Sequence, residues 1–112
     1  MLKHCGSEKD YRTALRESGE GPVFFLKHST TCGISSGARS EFKRFAAEKG
    51  QVPCWEMVIQ EDRELSSLIA GETGVPHESP QVLLFRNGEA AWSASHWDIT
   101  VESLREALAA AE

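Results

Sequence analysis

The sequence contains too few cysteines and too little positive charge for several classes of small protein. Its 112 residues include three cysteines, Cys5, Cys32 and Cys54, and this odd, widely spaced set argues against a disulfide framework. Lysine and arginine total 12 against 17 acidic residues, a net charge of -5, which disfavours nucleic-acid and membrane-surface binding. No apolar run approaches the roughly 18 residues of a membrane span, and the histidine spacing suggests no metal site.

The first ten residues, MLKHCGSEKD, lack the apolar core of a secretory signal peptide. We therefore expect a cytoplasmic protein, in which a cysteine is a buried hydrophobe, a metal ligand or a reactive thiol. With 112 residues and 40% apolar content, the chain is expected to form a single domain over residues 1–112.

Helical and strand-like segments alternate along the chain. Apolar residues at helical spacing predict helices over residues 7–18, after Cys32 as far as Gly50, over 61–74, and from Thr100 onward. Apolar runs predict strands over 22–28 and 52–59 and a β-hairpin over 80–96, with Asn87-Gly88 as its turn. This order resembles the thioredoxin-like fold with an extra N-terminal helix. The resemblance implies an α/β protein with a four-stranded mixed sheet flanked by helices.

Cys32 lies between the first buried strand and the second helix, in the segment HSTTCGIS. Unpaired backbone N–H groups and the helix dipole favour an anion at a helix start, so this position should stabilise a thiolate. The amides of Ile34 and Ser35 and the Ser35 hydroxyl are the expected donors. Lys27 and His28 could add positive potential, although strand alternation puts these two side chains on opposite faces.

The motif at this helix start is C-x-x-S, because Ser35 stands where a dithiol site would have a second cysteine. The internal disulfide that releases a reduced product is therefore excluded. Cys32 can still attack a mixed disulfide, take over a small thiol and be freed by another thiol. The missing cysteine thus favours the chemistry of a small-thiol carrier.

Two further segments are candidates for substrate binding. In thioredoxin-like proteins a cis-proline opens a central strand and faces the active cysteine, and Pro80 in HESPQV has that position, with Ser79 as a backbone contact to substrate. In SASHWDIT, Trp97 and Asp98 would provide a wall and a polar anchor for a bound thiol. Alternatively, Trp97 covers the core, and Asp98 or Thr100 only caps the last helix.

With KHSTTCGIS, HESPQV, the NG hairpin and ASHWDIT, the chain resembles the bacillithiol-system monothiol bacilliredoxin family along nearly its whole length. The resemblance implies a cytoplasmic thiol-disulfide oxidoreductase that removes bacillithiol from S-bacillithiolated proteins. Bacillithiol, a low-molecular-weight thiol, would be the co-substrate, and no metal is expected. Cys32 would be the nucleophile and Pro80 the cis-proline. Thr31 and Gly33, which flank Cys32, complete the expected substrate- and thiol-binding set.

One position departs from the family pattern T-C-P-I-S, because Gly33 replaces the proline. Glycine should loosen the first helical turn and add an N–H donor near the sulfur. The resulting C-G-I-S is similar to the C-G-F-S of monothiol glutaredoxins, which bind glutathione and a [2Fe–2S] cluster. Those proteins carry T-V-P at the cis-proline and a Gly-Gly pair before the last helix, whereas this chain has ESPQ and HWDIT. A non-catalytic adaptor, with an unactivated Cys32, is the third hypothesis.

The remaining cysteines have simpler interpretations. Cys54 lies in the middle of a predicted strand and is expected to be a core residue. Cys5 precedes the first helix, near a terminus expected to be mobile, where it could be exposed and could serve as a resolving thiol. Nothing in the sequence brings Cys5 to Cys32.

Overall fold

The computed structural model describes residues 2–112. Over this range the chain forms five β-strands: β1 (Leu2–His4), β2 (Val23–His28), β3 (Cys54–Val58), β4 (Gln81–Arg86) and β5 (Glu89–Ser95). The α-helices are α1 (Glu8–Glu17), α2 (Gly33–Glu48), α3 (Arg63–Thr73) and α4 (Val101–Ala111), with short 3-10 helices at Ile59–Glu61 and His96–Asp98. No helix within residues 2–112 has the length and apolar character needed to cross a membrane.

The strands form one mixed sheet in the order β1-β3-β2-β4-β5. β1 and β2 run parallel to β3, whereas β4 is antiparallel to β2 and β5 to β4. The prediction of four strands was wrong, because β1 pairs Leu2 with Cys54 at the edge of the sheet. A three-residue edge strand is held by main-chain hydrogen bonds and is too short to show a side-chain pattern.

The sheet separates two hydrophobic cores. α2 and α4 cover one face and α1 and α3 the other, as the buried residues of each core show. β2 contributes to both cores, since Val23 to Lys27 are all buried, and this explains its nearly continuous apolar sequence. Alternate residues of β2 therefore address opposite layers, with Phe24 and Leu26 facing α2 and Val23 and Phe25 facing α1.

Local sequence signals account for several of the element boundaries. Ser7 caps α1, because its side chain accepts a hydrogen bond from the Asp10 N–H at 3.4 Å. The hairpin turn has positive φ at both Asn87 (55°) and Gly88 (79°), as a two-residue turn of the primed type requires. The predicted hairpin is therefore confirmed.

The topology brings four connecting segments to one edge of the sheet, namely the edge at which the strands begin or end and not the side along which β1 lies. The parallel strands β2 and β3 end there, so the 29–32 loop and the Ile59–Glu61 turn are neighbours. β4 is antiparallel to β2, with Gln81 opposite Lys27, so the segment before β4 arrives at the same edge. β5 pairs Ser95 with Gln81 and therefore ends there as well. This edge is the one on which Cys32 lies.

Candidate active site

Cys32 is the N-cap residue of α2. Its backbone is extended, with φ -116° and ψ 122°, and its carbonyl accepts the first helical hydrogen bond from the Ser36 N–H at 3.3 Å. Within the described part of the chain its side chain makes no capping hydrogen bond, and the residue is partly exposed. The sulfur therefore stands at the positive end of the α2 dipole, where first-turn N–H groups lack helical acceptors.

Ser35 is fully buried one turn into α2, and its hydroxyl has two partners. The Ser29 N–H donates to Ser35 Oγ at 2.9 Å, and His28 Nδ1 lies 2.9 Å from the same oxygen. A hydroxyl has only one proton to give. When His28 Nδ1 carries a proton, it donates to Ser35; otherwise Ser35 donates to Nδ1.

The protonation of His28 is set by its surroundings. Burial and the nearby Arg39 guanidinium both lower the pKa of His28 below its ordinary value. The imidazole is therefore neutral at neutral pH, and one nitrogen carries the proton. Nδ1 either donates to Ser35 Oγ or accepts from it, depending on which ring nitrogen carries that proton.

Lys27 lies on the opposite face of β2 from His28. It is fully buried, and its Nζ donates to the Ser66 carbonyl of α3 at 3.4 Å. Burial lowers the pKa of Lys27 to about 8. His77 Nδ1 lies 3.1 Å from Ser66 Oγ, and burial together with Lys27 lowers the pKa of His77. The structure thus places Lys27 with α3 and His77, apart from the group formed by His28 and Ser35.

Gln60 contacts the loop before Cys32, a role that its place in the sequence does not predict. Its Nε2 donates to Ser29 Oγ at 2.8 Å and to Thr31 Oγ1 at 3.3 Å, and its Oε1 accepts from the Thr30 N–H at 3.3 Å. These bonds fix the loop that carries Thr31 next to Cys32. A lone glutamine carries no sequence signal, because its role depends on β2 and β3 ending at one edge.

Gly33 occupies the first position of α2. A Cβ atom built there would meet nothing within 4 Å, and its φ is outside the left-handed region. Neither the space nor the backbone conformation therefore requires glycine at this position. The missing side chain leaves the first turn of α2 open beside the sulfur, and the N–H that proline would lack is present.

The Ser79–Pro80 peptide bond is cis. Pro80 is buried, and its carbonyl accepts from the His96 N–H at 3.0 Å, which ties the start of β4 to the end of β5. Ser79 Oγ is buried without a hydrogen-bond partner among the described residues. Because Gln81 lies opposite Lys27, Pro80 reaches the end of β2, where the Cys32 loop begins.

Trp97 lies in the 3-10 helix His96–Asp98, which contacts α2. Its side chain is 75% exposed, so the interpretation that Trp97 covers the core is wrong. Nor is Asp98 the cap of α4, because Thr100 Oγ1 accepts from the Ser103 N–H at 3.0 Å. The Asp98 carbonyl accepts from Ser103 Oγ at 2.7 Å, while the Trp97 and Asp98 side chains are exposed.

The other two cysteines are buried. Cys54 lies within the core, as predicted, and burial raises its pKa to about 12. The interpretation of Cys5 as an exposed thiol is wrong, because only 3% of the residue is accessible and the Cys5 N–H extends the β1–β3 pairing to Glu56. Burial raises the pKa of the Cys5 thiol to about 11. Neither thiol forms a thiolate at neutral pH. No group of three His, Cys, Asp or Glu in residues 2–112 could hold a metal ion.

Comparison with known proteins gives one family and several related structures. The chain matches the family model described as monothiol bacilliredoxin BrxC over residues 3–104. A solved structure described as a candidate oxidoreductase with a thioredoxin fold is 39% identical, with a TM-score of 0.87, and the match covers 95% of this chain and 92% of that one. Both findings support a thiol redox function.

Two thioredoxins share the fold at low identity. Fasciola hepatica thioredoxin is 13% identical with a TM-score of 0.81, and the match covers 98% of this chain and 99% of that one. Malassezia sympodialis thioredoxin is 19% identical with a TM-score of 0.74, over 99% of this chain and 90% of that one. At these identities the likeness establishes a thioredoxin fold alone.

Proposed function

Because this chain belongs to the monothiol bacilliredoxin family, we propose that it removes bacillithiol from S-bacillithiolated proteins through a mixed disulfide on Cys32. The observation that carries the proposal is the position of this thiol. Cys32 is partly exposed at the start of α2, whereas Cys5 and Cys54 are buried. A thiol must be accessible to contact a substrate disulfide, and a position at a helix N-terminus favours its thiolate form.

The first step is an attack by the Cys32 thiolate on the bacillithiol sulfur of a modified protein. A new S–S bond forms between Cys32 and bacillithiol while the original S–S bond breaks. The substrate protein leaves as a thiolate and takes a proton from water. Attack at the bacillithiol sulfur leaves bacillithiol, not the substrate protein, attached to Cys32.

The second step needs another thiol, because Ser35 cannot resolve the mixed disulfide. A bacillithiol thiolate attacks the bacillithiol sulfur bound to Cys32, giving bacillithiol disulfide and regenerating the Cys32 thiolate. The net reaction converts one modified protein and one bacillithiol into one protein thiol and one bacillithiol disulfide. The oxidising equivalent passes to the small disulfide, and no metal takes part.

Ser35 and His28 have positioning roles in this scheme. Ser35 Oγ accepts a hydrogen bond from the Ser29 N–H and lies 2.9 Å from His28 Nδ1. These contacts hold the first turn of α2 against the end of β2 and the loop that leads to Cys32. They therefore keep the sulfur at the N-terminus of α2, where the helix dipole favours an anion.

The substrate side of the site would be formed by the cis-proline segment and Trp97. Ser79 precedes Pro80 and would offer backbone groups to an extended stretch of substrate, while Thr31 and Gly33 border the sulfur. The exposed Trp97 ring provides an apolar surface, and Asp98 can accept hydrogen bonds from the amine or hydroxyls of bacillithiol. Partners on this interpretation are S-bacillithiolated proteins.

Intact-mass spectrometry after brief exposure to bacillithiol disulfide, with peptide mapping, tests the proposal. We expect one rapid bacillithiol adduct on Cys32, which added bacillithiol then removes. Glutathione disulfide is the matched control and should react more slowly. An adduct formed only with glutathione would favour a glutaredoxin-type function. Absence of preferential reaction at Cys32 would favour a non-catalytic adaptor.

Replacing Ser35 with cysteine tests why the site needs a second small thiol. We expect the variant to release bacillithiol from its own mixed disulfide without added thiol, by forming an internal disulfide with Cys32. Mass spectrometry should show loss of the adduct and of two hydrogens. The Ser36→Cys variant is the control, since the neighbouring position lines a different side of α2. A Ser35→Cys adduct as persistent as that of the unaltered protein would contradict the assigned geometry.

A further inference from the structure

A cleft lined by cationic side chains extends along α2 beyond the candidate active site. Its volume is about 430 Å³, and His28, Ser36, Arg39, Ser40, Lys43 and Arg44 line it. The helical members are spaced so that they form one stripe on the surface of α2. His28 also contacts Ser35, so the cleft begins at the site around Cys32.

Charge distinguishes this cleft from the rest of the molecule. The chain carries a net charge of -5, yet the cleft is lined by three cationic side chains, of which Arg39 and Arg44 are each paired with a carboxylate. Arg44 pairs with Glu41 at 2.8 Å. Lys43 is exposed and makes no ion pair or hydrogen bond within residues 2–112.

Arg39 is fixed in the cleft by a buried carboxylate. Its Nε donates to Glu56 Oε1 at 2.6 Å and its Nη2 to Glu56 Oε2 at 2.9 Å. Glu56 is only 8% exposed, so this two-point contact holds the guanidinium in one orientation. The bonds use Nε and Nη2, and Nη1 makes no hydrogen bond to the part of the chain that the structure describes. A donor oriented in advance binds an anion with little loss of side-chain freedom.

The negative charge that binds in this cleft could belong to a small thiol or to a polypeptide, and the length of the cleft distinguishes the two. Ser36 is one helical turn beyond Cys32, whereas Lys43 is eleven residues beyond it, about 16 Å along the helix axis. A small thiol the size of a tripeptide, bonded to Cys32, spans about 10 Å and ends short of Lys43. About five residues of extended chain cover the whole distance. The full stripe therefore fits a polypeptide segment.

We infer that this cleft binds an acidic segment next to the modified cysteine of a substrate protein, so that charge selects which mixed disulfides reach Cys32. The inference rests on the proposed function and adds the substrate class to it. Carboxylates of the segment would contact Arg39 near the sulfur and Lys43 farther along α2. Such contacts mainly raise the association rate and set specificity.

Two peptides in mixed disulfide with bacillithiol test the inference, one with Asp and Glu flanking its cysteine and one with Asn and Gln. We expect kcat/KM for the acidic peptide to be the higher, and Lys43→Glu to lower it about fivefold, as one reversed surface charge allows. Lys9→Glu is the matched control, because Lys9 is an exposed residue of α1, on the other side of the sheet. The preference should weaken as salt is added.

Bacillithiol disulfide is the small control substrate for the unaltered protein, Lys43→Glu and Lys9→Glu. Equal rates with it, together with loss of the acidic preference in Lys43→Glu alone, would support the inference. An unchanged preference for the acidic peptide in Lys43→Glu would overturn the inference. A Lys43→Glu variant that is slower only with bacillithiol disulfide would also overturn it, because the cleft would then bind the small thiol. Failure of the unaltered protein to react with either peptide or the disulfide would instead reject the proposed function.

Discussion

Replacing Cys32 with serine is expected to reduce release of bacillithiol from a modified protein to the uncatalysed rate, a loss of at least about a thousandfold. The serine hydroxyl stays protonated at neutral pH, and its oxygen cannot form the mixed disulfide. The fold should be retained, because Cys32 is partly exposed and its side chain caps nothing. The measurement is the release of bacillithiol from a modified peptide, followed by mass spectrometry, with circular dichroism as the check on folding.

The buried thiols provide the matched controls for that experiment. Cys5→Ala and Cys54→Ala should each keep the full rate, because both thiols are buried and protonated at neutral pH. Full activity in Cys32→Ser would remove Cys32 as the nucleophile. Loss of activity in Cys5→Ala, with the fold intact, would mean that a second thiol takes part after all.

Replacing Lys27 with methionine is expected to stabilise the protein at pH 7. Lys27 is fully buried, and burial lowers its pKa from 10.5 to about 8. A shift of this size corresponds to about 3 kcal/mol of unfavourable free energy for holding the charged ammonium inside the fold. Methionine has a similar shape and needs no partner for a charge, so most of that free energy should be recovered.

The stabilisation should depend on pH with a definite sign. Below about pH 8 the ammonium is charged in both states and its burial cost is complete. Between about pH 8 and 10.5 the folded state loses the proton before the unfolded state does, so rising pH stabilises the unaltered protein relative to the variant. The advantage of methionine should therefore shrink across this window. The pKa of neighbouring His77 is lowered, so His77 does not titrate there.

Urea unfolding of both proteins at pH 7, 8.5 and 10 measures the effect. The difference between the two free energies of unfolding is the quantity to follow, because titration of Cys5 and Cys54 is common to both proteins and cancels. Leu26→Met, at the adjacent buried position of β2, is the control and should show a difference that does not change with pH. A Lys27→Met difference that is equally constant would show that Lys27 is not buried as a charge.

The sequence determined those features that depend on near neighbours in the chain. The apolar run of β2, the helical spacing in α2 and the Asn87-Gly88 turn each reflect local backbone preferences or burial on a fixed face. Cys32 at the start of α2 could be recognised for the same reason, since a strand followed by a helix places the junction residue at the end of the dipole. The motif segments then sufficed to identify the family.

Only the tertiary structure decided the features that depend on distant pairing. β1 and the burial of Cys5 result from hydrogen bonds to β3, which no three-residue pattern reveals. Gln60 reaches the 29–32 loop because two parallel strands end at one edge. Lys27 and His28 are adjacent in sequence, yet they lie on opposite faces of the sheet, where Lys27 contacts Ser66 and His28 contacts Ser35. A strand fixes which side chains share a face, but the partners on that face belong to helices folded back from elsewhere in the chain.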